Sequence, residues 1–67
     1  MLFRSIDQAV DGLATLLRDD RDGGVRKAAA WALGRIGSGA ASSALRAAEA
    51  VEGDDGVRDA IAIALQM

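Results

Sequence analysis

DGGVRKAA at residues 22–29 and DDGVRDAI at residues 54–61 align at an offset of 32 residues. The same offset carries Leu13 to Leu45. Internal similarity at a fixed period of roughly 20–50 residues is typical of helical repeat proteins, in which stacked units bury one continuous core. The sequence therefore predicts two copies of one structural unit.

Each unit is predicted to form two antiparallel helices, because apolar residues recur three and four positions apart and the linkers between the periodic segments are short. The expected helices cover residues 5–18, 23–36, 39–51 and 55–66. The predicted fold class is all-α, with two antiparallel helical hairpins stacked as a short α-solenoid. A single domain is expected over residues 1–67, with repeat one at about 5–37 and repeat two at about 38–67.

Polar residues and glycine mark the expected helix ends. Ser5 and Gln8 have the spacing of a capping box at the start of the first helix. Asp22 and Asp54 are suitable N-caps for the second and fourth helices. Gly37 is the expected C-terminal stop of the second helix, where a left-handed backbone conformation favours glycine.

The core is expected to be built from one apolar stripe on each helix. In the first helix the stripe is Ile6, Val10, Leu13 and Leu17, with Leu16 beside it. In the second it is Val25, Ala28, Ala29, Ala32, Leu33 and Ile36. In the third and fourth it is Ala41, Ala44, Leu45, Ala48 and Val51, then Val57, Ala60, Ile61, Ala64 and Leu65. Because fifteen residues of the chain are Ala, this core is expected to be thin and the helices closely spaced.

Composition narrows the functional classes. The chain has no Cys and no His, which excludes disulfides and the usual structural zinc site. The net charge of −2 offers no basic surface for a phosphate backbone, so nucleic acid is not expected as a partner. The start of the chain, residues 1–5, lacks the apolar segment of a signal peptide, and no window is apolar enough to span a membrane. A soluble, cytoplasmic protein without membrane contact is expected.

No group of residues has the composition of a catalytic or metal site. The acidic run at residues 19–23 lacks the first and twelfth ligands of a calcium loop. Gly34, Gly37 and Gly39 match neither nucleotide-binding motif, so Gly34 is interpreted as a close approach of two helices. The serines have no His or Cys nearby to act as base or nucleophile. We therefore expect no cofactor, no metal and no enzymatic activity.

The segment VRKAAAWALGRIG at residues 25–37, followed by SGAASSAL at residues 38–45, resembles the short HEAT-like repeats first described in phycobilisome lyases. The resemblance covers nearly the whole chain, although the prolines of the family's turns are replaced here by Gly23, Asp55 and Gly39. It implies a non-catalytic protein-binding module. The alternative that it implies is a fragment or accessory subunit of a larger HEAT-repeat protein such as a bilin lyase.

Trp31 and its repeat equivalent Ile63 are the candidate interface residues. Trp31 lies about 240° around its helix from Val25, whereas the apolar stripe is centred near 10°, at 100° per residue. A large apolar side chain at both positions predicts a contact surface for another protein, flanked by Lys27, Ala30, Ala62 and Met67. Self-association into a homo-oligomer is the leading instance, and a different protein partner is the next. The alternatives are that Leu2 and Phe3 cover Trp31, or that Trp31 is simply exposed.

Arg26 and Arg58 occupy the first turns of the second and fourth helices, where a cation is unfavourable unless a carboxylate is near. Asp22 and Asp54 are the expected partners. These four residues are predicted to form a structural ladder between the repeats, with ligand binding as the less favoured role.

Overall fold

The computed structural model describes the backbone of residues 2–67 and the side chains from residue 8 onward. These residues form four helices, namely α1 Leu2–Asp19, α2 Gly23–Ile36, α3 Gly39–Val51 and α4 Asp55–Gln66. They contain no strand, and none of the four helices is long and apolar enough to cross a membrane. The predicted all-α fold is confirmed, and α2, α3 and α4 have the predicted boundaries.

The predicted start of the first helix is wrong. Helix α1 begins at Leu2, so Ser5 lies within the helix and cannot be its N-cap. Residues 2–4 include no glycine or proline, and nothing in them interrupts a helix. The predicted roles of Ile6 in the core and of Leu2 and Phe3 over Trp31 concern side chains outside the described part of the chain.

The other predicted caps are present. An oxygen of Asp22 accepts from the backbone N–H of Gly24 at 2.8 Å, and one of Asp54 accepts from that of Val57 at 3.0 Å. Gly37 ends α2 in the left-handed conformation, with a φ of 66°. Ser38 caps α3, since its hydroxyl oxygen accepts from the N–H of Ala41 at 3.1 Å. These bonds satisfy helix N–H groups that would otherwise lack partners.

The four helices stack as two hairpins. Helix α1 packs on α2 within repeat one and α3 on α4 within repeat two, while α1 contacts α3 and α2 contacts α4 between the repeats. The buried apolar side chains lie between these helices and are Val10, Leu17, Ala29, Ala30, Leu33, Ala41, Leu45, Ala48, Val57, Ala60, Ile61 and Ala64. Six of these twelve are alanine, so the core depends on short distances between helices.

Gly34 marks the closest approach of α2 and α4. A Cβ atom placed at Gly34 would lie 2.8 Å from the Cβ of Ala64 and 2.9 Å from its Cα. Real Cβ atoms do not come so close. The Cα and Cβ atoms of Ala64 are fixed to the backbone of α4, so they cannot move away unless the whole helix moves. The interpretation of Gly34 as a site of close helix approach is therefore confirmed.

Three residues assigned to the core or its edge are exposed instead. Leu16 is 41% exposed, Val51 is 74% exposed, and Ala28 is also exposed. Ala28 lies on the side of α2 that points away from repeat two, whereas its repeat equivalent Ala60 is covered by repeat one and is 4% exposed. The periodicity of one helix shows an apolar stripe but does not show whether a neighbouring helix covers all of it.

We expect Gly34→Ala to destabilise the protein by about 1–3 kcal/mol, because the added methyl group overpacks the α2–α4 contact. Gly12→Ala is the matched control, since Gly12 is also within a helix and a Cβ there meets nothing within 4 Å. The control should gain up to about 1 kcal/mol from helix propensity. Urea unfolding followed by circular dichroism measures both. Equal stabilisation by the two substitutions would contradict the close contact.

Candidate interaction surface

The outward side of α2 and α4, which we call the second-helix face, carries Trp31 and Ile63. The Trp31 side chain is 40% exposed and that of Ile63 is 48% exposed. Both therefore lie off the core, as their angular positions indicated. Each is the largest apolar residue that its helix exposes, apart from the terminal Met67.

Lys27 and Met67 lie at opposite ends of this face. The end of the Lys27 side chain reaches the first turn of α4, where its Cε and Nζ would be 3.1 Å from a Cβ placed at Gly56. Met67 is 58% exposed, and its sulfur would be 2.9 Å from a Cβ at Gly34. Both side chains thus extend across the boundary between the repeats. Ala62 is half-buried and contributes part of its methyl group to the surface.

Ala30 does not belong to the exposed face, contrary to the expectation from sequence. Its exposed fraction is 0%. Ala30 lies one helical turn before Gly34, so the two residues share one side of α2. That side faces α4, because Gly34 contacts Ala64. Ala30 is therefore part of the contact between the repeats and cannot touch a partner.

Arg26 forms the ion pair that links the two repeats, but with a different partner from the one predicted. Its Nε donates to Oε1 of Glu52 at 3.0 Å and its Nη2 to Oε2 at 3.2 Å. The side chains are only 17% and 7% exposed, respectively. A two-pronged, largely buried pair of this kind is stronger and more specific than a surface ion pair. Asp22, the predicted partner, is instead occupied in capping α2.

The loops before α2 and α4 repeat the same hydrogen bonds. The N–H of Asp22 donates to the side chain of Asp20 at 2.8 Å, and the N–H of Asp54 donates to that of Glu52 at 3.1 Å. Nη1 of Arg26 donates to the carbonyl of Asp20 at 2.8 Å. These loops lie at the 32-residue offset, so the repeat is present in the structure as well as in the sequence.

Arg58 also donates to backbone carbonyls, but among the described side chains it pairs with no carboxylate. Its Nη1 donates to the carbonyl of Glu52 at 3.1 Å and to that of Glu49 at 3.4 Å. Asp54 caps α4 and is not its partner, so the predicted Arg58 pairing with an aspartate is wrong.

A shallow groove between α1 and α3 was not predicted. Its volume is about 180 Å³, and it is lined by Ala14, Arg18, Ala44, Ala47, Ala48 and Val51. Arg18 pairs with Asp19 at 3.0 Å, and this hydrogen bond lowers the pKa of the Asp19 carboxyl. The run of small residues on α3 could have predicted this groove from the sequence. Alanines on facing helices leave space between larger neighbours.

Among the residues that the structure describes, no group of three or more acidic side chains lies close enough together to hold a metal ion. A family model of HEAT repeats matches residues 3–66. No curated protein and no solved structure matches the chain.

Glu52→Gln tests the ion pair between the repeats. The variant keeps the size of the side chain but leaves the Arg26 charge largely buried without a counter-ion, which typically costs about 3–5 kcal/mol. That is comparable to the whole stability expected of a domain this small, so most of the variant should be unfolded at 25 °C. Circular dichroism during thermal unfolding measures the change.

Glu49→Gln is the control, because the Glu49 carboxylate takes part in neither of the ion pairs observed. Its effect should stay within about 0.5 kcal/mol, as for most surface substitutions. Similar melting temperatures for the two variants would contradict a stabilising role for the Arg26–Glu52 pair.

Proposed function

The chain belongs to the HEAT repeat family, and from this premise we propose that it is a non-catalytic protein-binding module that contacts its partner through the second-helix face. HEAT repeats generally mediate protein–protein interactions and typically act as non-enzymatic scaffolds. In this chain the binding surface is the second-helix face, with Trp31 and Ile63 as its central residues.

The exposure of Trp31 and Ile63 at equivalent positions of two adjacent repeats carries the proposal. Single exposed apolar residues are common on soluble proteins and need no explanation. Here Trp31 is 40% exposed and Ile63 is 48% exposed. The two residues occupy equivalent positions on α2 and α4, which are in contact. Tryptophan is also among the residues that most often dominate binding energy at interfaces.

The surroundings of Trp31 indicate what kind of partner would fit. Ala62 is small and only half-buried, so an apolar side chain of a partner could approach α4 beside Ile63. The unbranched side chain of Met67 can adjust to an irregular partner surface. Lys27 at the other end favours an acidic group on the partner at that position.

A second copy of this chain is the first partner to test. The second-helix face is apolar at its centre, and an apolar patch can pair with itself about a two-fold axis. A different protein with a matching apolar surface is the other form of the proposal. Nothing in the described residues favours the bilin-lyase alternative.

Trp31→Glu should leave the four helices intact and weaken association through this face. Loss of a central tryptophan typically costs about 2 kcal/mol or more, which corresponds to a rise in Kd of roughly 30-fold. Helicity is checked by circular dichroism at a dilution where the proteins are monomeric. Light scattering at increasing concentration then compares the mean mass of the variant with that of the parent.

Ala50→Glu is the matched control, because it places the same charge on an exposed position of α3. In the parent, the emission of Trp31, the only tryptophan, should also shift to shorter wavelength as association covers the indole. Equal association of Trp31→Glu and Ala50→Glu, with no emission shift in the parent, would contradict self-association through the second-helix face. Unfolding of Trp31→Glu at high dilution would show that Trp31 belongs to the core.

A further inference from the structure

The two ends of the stack differ in how apolar their exposed residues are. Six apolar residues of repeat two, which lie on helices that contact repeat one, are buried, namely Ala41, Leu45, Ala48, Val57, Ala60 and Ala64. At the 32-residue offset their equivalents in repeat one are Ala9, Leu13, Leu16, Val25, Ala28 and Ala32. We call this second set the leading face. It is the side of repeat one that points away from repeat two.

The leading face is apolar throughout, and none of its six residues is fully buried in the described part of the chain. Ala9, Leu16 and Ala28 are exposed, with Leu16 at 41%, while the other three residues are half-buried. Equivalent Ala48 and Ala60 are only 6% and 4% exposed. The leading face therefore has the same apolar character as the equivalent surface of repeat two, which is buried.

The opposite end of the stack, which we call the trailing face, has the reverse character. Val10, Leu17, Ala30 and Gly34 of repeat one are buried, and Gly34 contacts Ala64 of repeat two. Three of their four equivalents in repeat two are polar and at least partly exposed, namely Ser42, Glu49 and Gln66, while the fourth is the half-buried Ala62. A polar face of this kind is suited to contact with water and poorly suited to packing against an apolar repeat.

We propose that a second copy of this chain covers the leading face, with the two leading faces packed on each other about a two-fold axis. Within the chain, the equivalent surface of repeat two already packs against the apolar helices of repeat one. Head-to-tail stacking of copies would instead press Glu49 and Gln66 against apolar side chains, and burying such groups without partners is costly. In the two-fold arrangement the surfaces buried on both sides are apolar throughout.

The dimer forms a continuous stack of four hairpins with a polar trailing face at each end. Repeat stacks normally need about three or more units to bury a sufficient core, and the dimer provides them. Two helices side by side, each about 10 Å wide and about 20 Å long, give a contact at the small end of the range for specific interfaces. We therefore expect a weak dimer, with a Kd on the order of 10⁻⁵ to 10⁻⁴ M.

This contact goes beyond the proposed function and uses a different surface. Leu16 lies on α1, whereas Trp31 lies on α2, about 90° around that helix from the side that carries Ala28 and Ala32. A chain can therefore use both surfaces, and in the two-fold dimer both second-helix faces stay accessible to a partner.

The experiment compares Leu16→Glu with Thr15→Glu, both in the parent and in the Trp31→Glu background. Sedimentation equilibrium from about 10 to 500 µM measures the dimerisation Kd, and the expected affinity sets this concentration range. Thr15 is exposed on α1 and lies outside the leading face, so it controls for the added charge. Helicity at low concentration shows whether each variant folds. In both backgrounds, Leu16→Glu should raise the Kd at least tenfold, whereas Thr15→Glu should leave it unchanged.

The Trp31→Glu background separates this contact from association through the second-helix face. Persistent dimers of Trp31→Glu that disappear when Leu16→Glu is added would support the leading-face contact even if the proposed function fails. A parent that remains monomeric up to 500 µM would overturn it, and so would equal dimerisation of the folded Leu16→Glu and Thr15→Glu variants. Loss of all association in Trp31→Glu alone would overturn it too, and would support the second-helix face.

Discussion

The rest of the structure depends on the close contact of α2 and α4 at Gly34. Half of the buried apolar residues are alanines, which stabilise a core only when the helices carrying them lie close together. The missing side chain at Gly34 allows this, because any Cβ there would overlap Ala64. A single hydrogen atom in place of a methyl group thus sets the distance between the repeats.

The Arg26–Glu52 pair adds direction to this contact. Apolar packing between alanines discriminates poorly among alternative registers, whereas a guanidinium and a carboxylate meet in one planar geometry. The pair joins the first turn of α2 to the loop before α4, and Glu52 also holds the N–H of Asp54, the cap of α4. Packing at one end of α2 and an ion pair at the other therefore fix the repeats in a single arrangement. That arrangement places Trp31 and Ile63 on one side and the apolar leading face on another.

The parts of the structure that depend on local chemistry could be predicted from the sequence. Caps at Asp22 and Asp54, the stop at Gly37 and the outward position of Trp31 follow from a few neighbouring residues and the helical period. Ala30 and Glu52 could not be placed in this way. An inner helix of a stack is covered by its hairpin partner and also by the next repeat, so a single apolar stripe underestimates how much of it is buried. The carboxylate that meets Arg26 comes from 26 residues further along the chain.

Nuclear Overhauser contacts in solution between the Hα atoms of Gly34 and the methyl group of Ala64 test this account most directly. The two groups are adjacent only if α2 and α4 pack at the 32-residue register with no side chain between them. The account predicts a strong cross-peak, accompanied by one between Gly23 and the methyl groups of Val57 at the other end of the helices. Contacts of Gly34 confined to its own helix, in a protein that is otherwise folded and helical, would contradict it.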